Sequence, residues 1–221
     1  MADMRRRTPE PSPGPPQIQV KPGMAKDLLR ELAPLLAEEG IDVDNIDVPD
    51  LQTLQAAMNR AVERHNMTRF TPVGRARDLA VTTLRLVTEA LADGDTALAA
   101  SILDQVQPES PGDTDPTVAA CIGVALGLLD DWLIGTSRDT PPGLARRVRL
   151  PSGNWTGERA ATDILVLARK GRAFTSLDTL IARQGGKHVL YGSALTLAAT
   201  IQAWTQQTDT PLSDLVRTTV R

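Results

Sequence analysis

The chain has 221 residues, a formal net charge of −3, 41% hydrophobic residues and only 3% aromatic residues. This composition supplies one ordinary hydrophobic core or two small ones, packed mainly by Leu, Ala, Val and Ile. It favours helices, because broad sheets use more aromatic and β-branched residues. A single cysteine, Cys121, excludes an intrachain disulfide framework and a cysteine-rich zinc site, and with only His65 and His188 we expect no histidine-built metal site.

The chain opens with a proline-rich segment that begins MADMRRRTPEPSPGPPQ. Its six prolines, between residues 9 and 22, prevent regular backbone pairing, so we predict a disordered tail over residues 1–22. No apolar stretch follows the arginines, which argues against an export signal. The longest apolar stretch, residues 116–129, is shorter than the roughly 20 residues that span a bilayer. We therefore expect a cytoplasmic protein with no membrane partner. The many Ala, Leu, Arg, Asp and Thr residues indicate a bacterium with a GC-rich genome.

Apolar residues at helical spacing predict helices along the rest of the first half. The first two predicted helices cover residues 24–39 and 50–66. A third begins at Pro72 behind a Thr71 cap, and a fourth follows a cap at Asp95. We expect Gly40 and Gly94 to end the helices that precede them.

Two later helices are predicted to be buried. The first starts at Asp115-Pro116 and has no charge until Asp130, and the second covers residues 187–206. A helix that is apolar all round is a buried one. Within the first, Gly123 and Gly127 allow a neighbouring backbone to approach closely. Shorter helices are expected behind caps at Thr156 and Ser176 and after Pro211, so the predicted fold is an all-α, compact bundle of about seven or eight helices.

A long irregular connection, GTSRDTPPGLARRVRLPSGNWTG, joins the two halves. It is the best candidate for a boundary or an exposed arm, and ARRVRL within it is compatible with a short extended piece. We divide the chain into an acidic helical region over residues 23–135 and a basic helical region over residues 136–221. We expect the two regions to form one folded unit.

The segment RQGGKHVL contains a glycine pair and a lysine, the kind of sequence that cradles phosphate. A Walker-type loop needs a glycine at the position of Ile181 and a Ser or Thr directly after the lysine. This chain has His188 after Lys187, so it lacks both features of the motif. The favoured interpretation is a helix-ending turn in which Gly185 or Gly186 adopts the left-handed helical conformation. An anion site at the next helix start is the alternative. A helix-turn-helix is disfavoured because residues 194–204 carry no charge to read a DNA groove.

Two acidic clusters could indicate catalysis. Asp130-Asp131 resembles the start of a magnesium-binding motif, but the motif wants a third Asp where Ile134 stands, so an exposed helix end paired with an arginine is favoured. Glu63, His65 and Asn66 lie close in sequence without a nucleophile in a suitable context. We interpret His65 as a packed histidine near a helix end.

Charge is strongly polarised along the chain. Residues 23–135 contain 8 Lys and Arg against 19 Asp and Glu, a net charge of −11, whereas residues 136–221 contain 12 against 6, a net of +6. Three interpretations are open: the halves attract each other within or between copies, the basic half binds nucleic acid or another polyanion, or the acidic half attracts a basic partner. Few aromatic residues flank the basic cluster, so stacking on single strands is poorly supported.

These patterns favour a non-catalytic helical interaction or regulatory protein that binds a protein partner or itself and needs no cofactor. Nucleic-acid binding through the basic half is the first alternative, and a helical enzyme with a metal-assisted Asp130-Asp131 site is the second. The candidate partner or anion-binding residues are Arg146, Arg147, Arg149, Arg169, Lys170, Arg172, Arg183 and Lys187.

Overall fold

The computed structural model describes residues 33–42, 51–109, 115–135, 139–151, 153 and 155–220, which form helices and no strand. The all-α prediction is confirmed, and the predicted tail over residues 1–22 lies outside the described residues. The helices are α1 (described over residues 33–38), α2 (Leu51–Phe70), α3 (Gly74–Ala92), α4 (Thr96–Asp104), α5 (Val118–Leu133), α6 (Leu144–Arg147), α7 (Glu158–Ala168), α8 (Leu177–Gln184), α9 (Gly186–Thr208) and α10 (Leu212–Thr219).

Helix α9 lies at the centre of the fold and packs against α3, α5 and α7. Its uncharged stretch is buried, as predicted, and its buried polar residues are hydroxyls. Ser193, Thr196 and Thr200 each donate a 2.8 Å hydrogen bond to the carbonyl four residues earlier. Bonding to the helix's own backbone satisfies the Ser193 and Thr200 hydroxyls, and the Thr196 hydroxyl also lies 3.3 Å from the Ala161 carbonyl oxygen of α7. No helix in the described part of the chain is long and apolar enough to cross a membrane.

Helix α5 is the second buried helix and is also confirmed, although it starts at Val118 behind a Thr117 cap rather than at Asp115-Pro116. Its Gly123 lies where the end of α2 crosses. A Cβ built on Gly123 would lie 2.1 Å from the carbonyl oxygen of Phe70, so the predicted close approach is present. Trp132 of α5 meets Trp204 of α9 edge to face, with ring centroids 5.5 Å apart.

The main hydrophobic core draws on both the acidic and the basic regions. Its buried members extend along the chain from Ala80 in α3 to Val220 after α10. Arg85 of α3 donates to the carbonyl of Val220 across 2.6 Å, which fastens the end of the described chain onto α3. A small satellite cluster joins α1 and α2 through Leu36 and Ala61. The two oppositely charged regions therefore share one core.

The structure separates correct from incorrect cap predictions. The Asp95 carboxylate accepts from the backbone N–H of Leu98 across 2.9 Å, as predicted. Thr71 is not a cap, because α3 begins at Gly74, after Val73. Thr156 is not one either, because α7 follows Gly157.

Gly157 has a φ of 80°, and a Cβ on it would lie 2.7 Å from the backbone nitrogen of Gly192. Only glycine fits this close approach to α9, and α7 starts at the next residue. Ser176 occupies the predicted position before α8, but its side chain makes no capping bond.

Candidate functional site

The predicted arginine arm is a packed turn rather than an extended piece. Leu144 and Val148 are both 1% exposed, and their four-residue spacing puts them on one face of the single helical turn α6. Gly143, with a φ of 74°, begins the turn. With these two side chains in the core, Arg146 and Arg149 remain exposed, as predicted. The buried pair therefore fixes which way the arginines point.

Backbone carbonyls hold two of the guanidinium groups. Arg149 donates to the carbonyl oxygens of Arg146, across 2.6 Å, and of Val148, across 2.9 Å. Arg169, which follows the last residue of α7, donates to the same Val148 carbonyl across 3.0 Å. Two cations therefore share one neutral acceptor, and this brings the end of α7 beside the turn.

These residues line an open groove of about 680 Å³. Its lining consists of Ala145, Arg146, Val148, Arg149, Leu150, Leu165 and Arg169. Desolvation by burial, followed by repulsion from Arg149, lowers the pKa of Arg169 below its ordinary value. The groove thus combines positive charge with an apolar surface, and its volume falls in the usual range of about 300–1,000 Å³ for ligand sites.

The three arginines of this groove lack acidic partners within the described residues. None of Arg146, Arg149 and Arg169 has a carboxylate within ion-pair distance among those residues. A guanidinium presents N–H donors in a planar fork that matches a carboxylate or phosphate. We call this set of lining residues the arginine groove. Its chemistry suits an anionic ligand that also has apolar groups.

The structure does not bring the other five predicted binding residues into the arginine groove. Arg147, Lys170 and Arg172 are exposed but do not line it. Arg183 pairs with Asp163, and Lys187 pairs with Asp104 across 2.7 Å. The last two charges are therefore already neutralised within the chain.

No protein-family model matches this sequence. No curated protein and no solved structure matches it either. The interpretation of the arginine groove therefore depends on the chemistry of its own residues.

The glycine turn before α9 has a structural explanation. Gly185 has a φ of 85° and a ψ of 144°, a conformation open to glycine but not the left-handed helical one that was expected. Lys187 in the first turn of α9 bonds to Asp104 and lies over the ring of Tyr191, 5.9 Å from its centroid. Because α9 is the central buried helix, it cannot enter a DNA groove without unfolding the core.

The paired aspartates diverge. Asp131 is exposed, whereas Asp130 is only 3% exposed, so the expected exposed helix end with an arginine partner is wrong for Asp130. One Asp130 carboxyl oxygen, Oδ1, has no hydrogen-bond partner. Burial, with added repulsion from Glu63 and Asp131, raises the pKa of Asp130 to about 7. The described residues contain no group of three His, Cys, Asp or Glu placed to hold a metal ion.

Sequence reasoning missed the structural role of Glu63. This buried carboxylate accepts from the backbone N–H groups of Phe174 and Thr175, each across 2.7 Å, and from the Thr175 hydroxyl. Asn66, one turn later in α2, donates to the Phe174 carbonyl across 3.3 Å. Glu63 and Asn66 therefore fasten α2 to the connection between α7 and α8. Their partners lie more than 100 residues away, so no local pattern indicated the burial of Glu63.

Proposed function

We propose that this chain is a non-catalytic interaction protein that binds an acidic segment of a protein partner in the arginine groove. One observation carries the proposal: Arg146, Arg149 and Arg169 converge on one groove without a carboxylate among the described residues. Elsewhere in the basic half, Arg183 and Lys187 are paired with aspartates. A groove that keeps its charges unpaired has them available for a ligand.

The apolar part of the groove favours a peptide over a nucleic acid. Ala145 and Leu150 are the partly exposed apolar residues of the lining, and a Leu, Ile or Val side chain of a partner would bury apolar surface against them. The lining contains no aromatic ring on which a base would stack. Carboxylates spaced by apolar residues match both features of the groove.

Arg169 has one structural reason to be basic, since it lies at the C-terminus of α7, where positive charge interacts well with the helix dipole. The helix dipole does not explain the positive charge of Arg149, which follows a single helical turn and donates to a carbonyl oxygen of that turn. The groove therefore contains more charge than helix stability requires.

The test is binding of a fluorescent decapeptide in which Glu and Leu alternate, compared with a Gln and Leu version and with duplex DNA and RNA. The variant Arg146→Ala with Arg149→Ala removes two groove charges. The matched control, Arg147→Ala with Arg172→Ala, removes the same charge from exposed positions outside the lining. We expect the groove variant to weaken binding of the acidic peptide by tenfold or more, since a hydrogen bond to a charged group contributes about 1.5–3 kcal/mol.

The control variant should bind the acidic peptide within about threefold of the parent, because exposed charges act mainly through screened, long-range attraction. Equal losses in both variants, or no binding at low salt, would overturn the proposal. Tighter binding of DNA or RNA than of the peptide, with a steep salt dependence, would replace it with the nucleic-acid alternative.

A further inference from the structure

The acidic region contains a segment whose pattern complements the arginine groove. Residues 41–50 read IDVDNIDVPD, with four aspartates, no basic residue, and Ile or Val between the charges. The turn that forms one side of the groove, residues 144–150, reads LARRVRL. The segment is acidic, and the exposed groove residues of the turn, Arg146 and Arg149, are basic, so the two charges are opposite.

Two basic residues that pair just before this segment are already engaged. Glu39, two residues before Ile41, pairs with Arg60 of α2 across 2.6 Å and also with Arg64. Hydrogen bonds from both arginines lower the pKa of Glu39, so it is ionised and holds them at neutral pH. These two arginines of α2 are therefore committed to Glu39, while the three arginines of the groove lack a carboxylate among the described residues.

We propose that the arginine groove takes residues 41–50 of a second copy of this chain. The inference rests on the proposed function, because it names the acidic segment that the groove binds. Each copy offers one groove and one segment. A two-fold arrangement would satisfy both contacts at once and would close without leaving an open end for further assembly.

The partner is a second copy because one chain carries both the acidic segment and the arginine groove. Residues 23–135 carry a net charge of −11 and residues 136–221 carry +6. Two copies that each place the acidic segment in the other's groove gain attraction at both contacts. Salt at high concentration would weaken this association, because exposed charges are screened within about 8–10 Å at ordinary ionic strength.

The test exchanges charges between the two partners. The groove-reversed chain carries Arg146→Glu and Arg149→Glu, and the segment-reversed chain carries Asp44→Lys and Asp47→Lys. Asp42 is left unchanged because it already has an interaction within its own chain. By sedimentation velocity, we expect the parent to form dimers that dissociate in high salt, and each reversed chain to stay monomeric. An equimolar mixture of the two reversed chains should form heterodimers, because both contacts are then between opposite charges.

A matched control reverses two exposed acids elsewhere, Asp93→Lys and Glu109→Lys. It should dimerise like the parent. Circular dichroism and thermal melting confirm that each variant folds. If a groove-reversed chain unfolds, the milder Arg146→Gln with Arg149→Gln replaces it, with loss of the dimer as the readout.

The outcomes separate the two proposals. A parent chain that stays monomeric at every concentration, or a mixture that fails to form heterodimers, would overturn the second-copy inference. In that case, groove-dependent binding of the alternating Glu and Leu peptide would leave the proposed function standing. A synthetic peptide of residues 41–50 should displace the dimer, whereas its Asn-for-Asp version should not. Failure of both the peptide and the dimer experiments would overturn both proposals.

Discussion

Glu63 accepts hydrogen bonds from both the backbone N–H and the hydroxyl of Thr175, although 112 residues separate them in sequence. The carboxylate thereby satisfies polar groups in the connection between α7 and α8, where no helix supplies partners. Hydrogen bonds to an ionised group are about twice as strong as neutral ones. This contact fixes the connection against α2.

We predict that Glu63→Gln lowers the free energy of unfolding by about 2–3 kcal/mol, because the neutral amide weakens the charge-assisted bonds and turns a donor toward a backbone N–H. Urea denaturation followed by circular dichroism measures this change. Glu109→Gln, which makes the same charge change at an exposed position, should alter it by less than about 0.5 kcal/mol. Equal effects of the two substitutions would contradict the anchoring role of Glu63.

Asp130 should make stability fall as the pH rises. Its pKa is about 7 in the folded chain against 3.8 ordinarily, so the folded state binds its proton more tightly than the unfolded state does. The free energy of unfolding therefore decreases between about pH 4 and pH 7 and levels off above. Asp130→Asn removes this loss of stability. The free energy of unfolding of the variant should therefore be higher than that of the parent by up to about 4 kcal/mol at pH 8, and the two should be equal near pH 4.

The measurement is the free energy of unfolding of parent and Asp130→Asn across this pH range. Subtracting the two curves removes the contributions of other titrating groups. The charge of Glu63 helps to raise the pKa of Asp130. The stabilisation by Asp130→Asn at pH 8 should therefore be smaller in a chain that already carries Glu63→Gln. A variant that is less stable than the parent at pH 8 would show that the ionised carboxylate has a favourable role.

The two glycines of α5 should respond oppositely to alanine. At Gly123 the added Cβ meets the Phe70 carbonyl at 2.1 Å, so Gly123→Ala should destabilise the fold by about 1–3 kcal/mol or more. At Gly127 the nearest atom would be the Thr71 hydroxyl at 3.7 Å, an ordinary contact. Gly127→Ala should therefore stabilise the fold by up to about 1 kcal/mol through helix propensity. Thermal melting of the pair gives the comparison, and equal shifts would mean that α2 does not cross here.

Cys121 should be unreactive in the folded chain. It is fully buried, and desolvation raises the pKa of its thiol to about 12. A disulfide reagent at pH 8 should therefore modify the native protein only as fast as the chain unfolds, and should modify it at once in denaturant. As a control, Ser101→Cys adds a thiol at an exposed position and should react immediately. Rapid labelling of the parent would place Cys121 outside the core.

The buried helices were predictable because their evidence is local. Residues 118–129 and 194–204 carry no charge on any face, which identifies a central helix without knowledge of its neighbours. The Asp95 cap was predictable for a similar reason, since the bond closes within three residues. By contrast, the Thr71 cap was wrong because α3 begins after Val73, and the Thr156 cap was wrong because α7 begins after Gly157, which approaches α9 closely.

The groove itself was only half predictable. The arginines were evident, but the flanking prolines favoured an irregular arm, and the spacing of Leu144 and Val148 was the overlooked signal of a helical turn. The convergence of Arg169 on the same carbonyl depends on how α7 packs, which no local pattern specifies. The burial of Asp130 likewise depends on neighbours distant in sequence.

The common core limits how this molecule can be divided for experiments. A fragment of residues 136–221 would keep the arginines but would strip α3 and α5 from α9, leaving a long apolar helix face in water. Such a fragment would collapse or aggregate while carrying a net charge of +6. Its binding to any polyanion would report the charge of an unfolded polycation. Only chains that retain both regions can reveal the selectivity of the native surface.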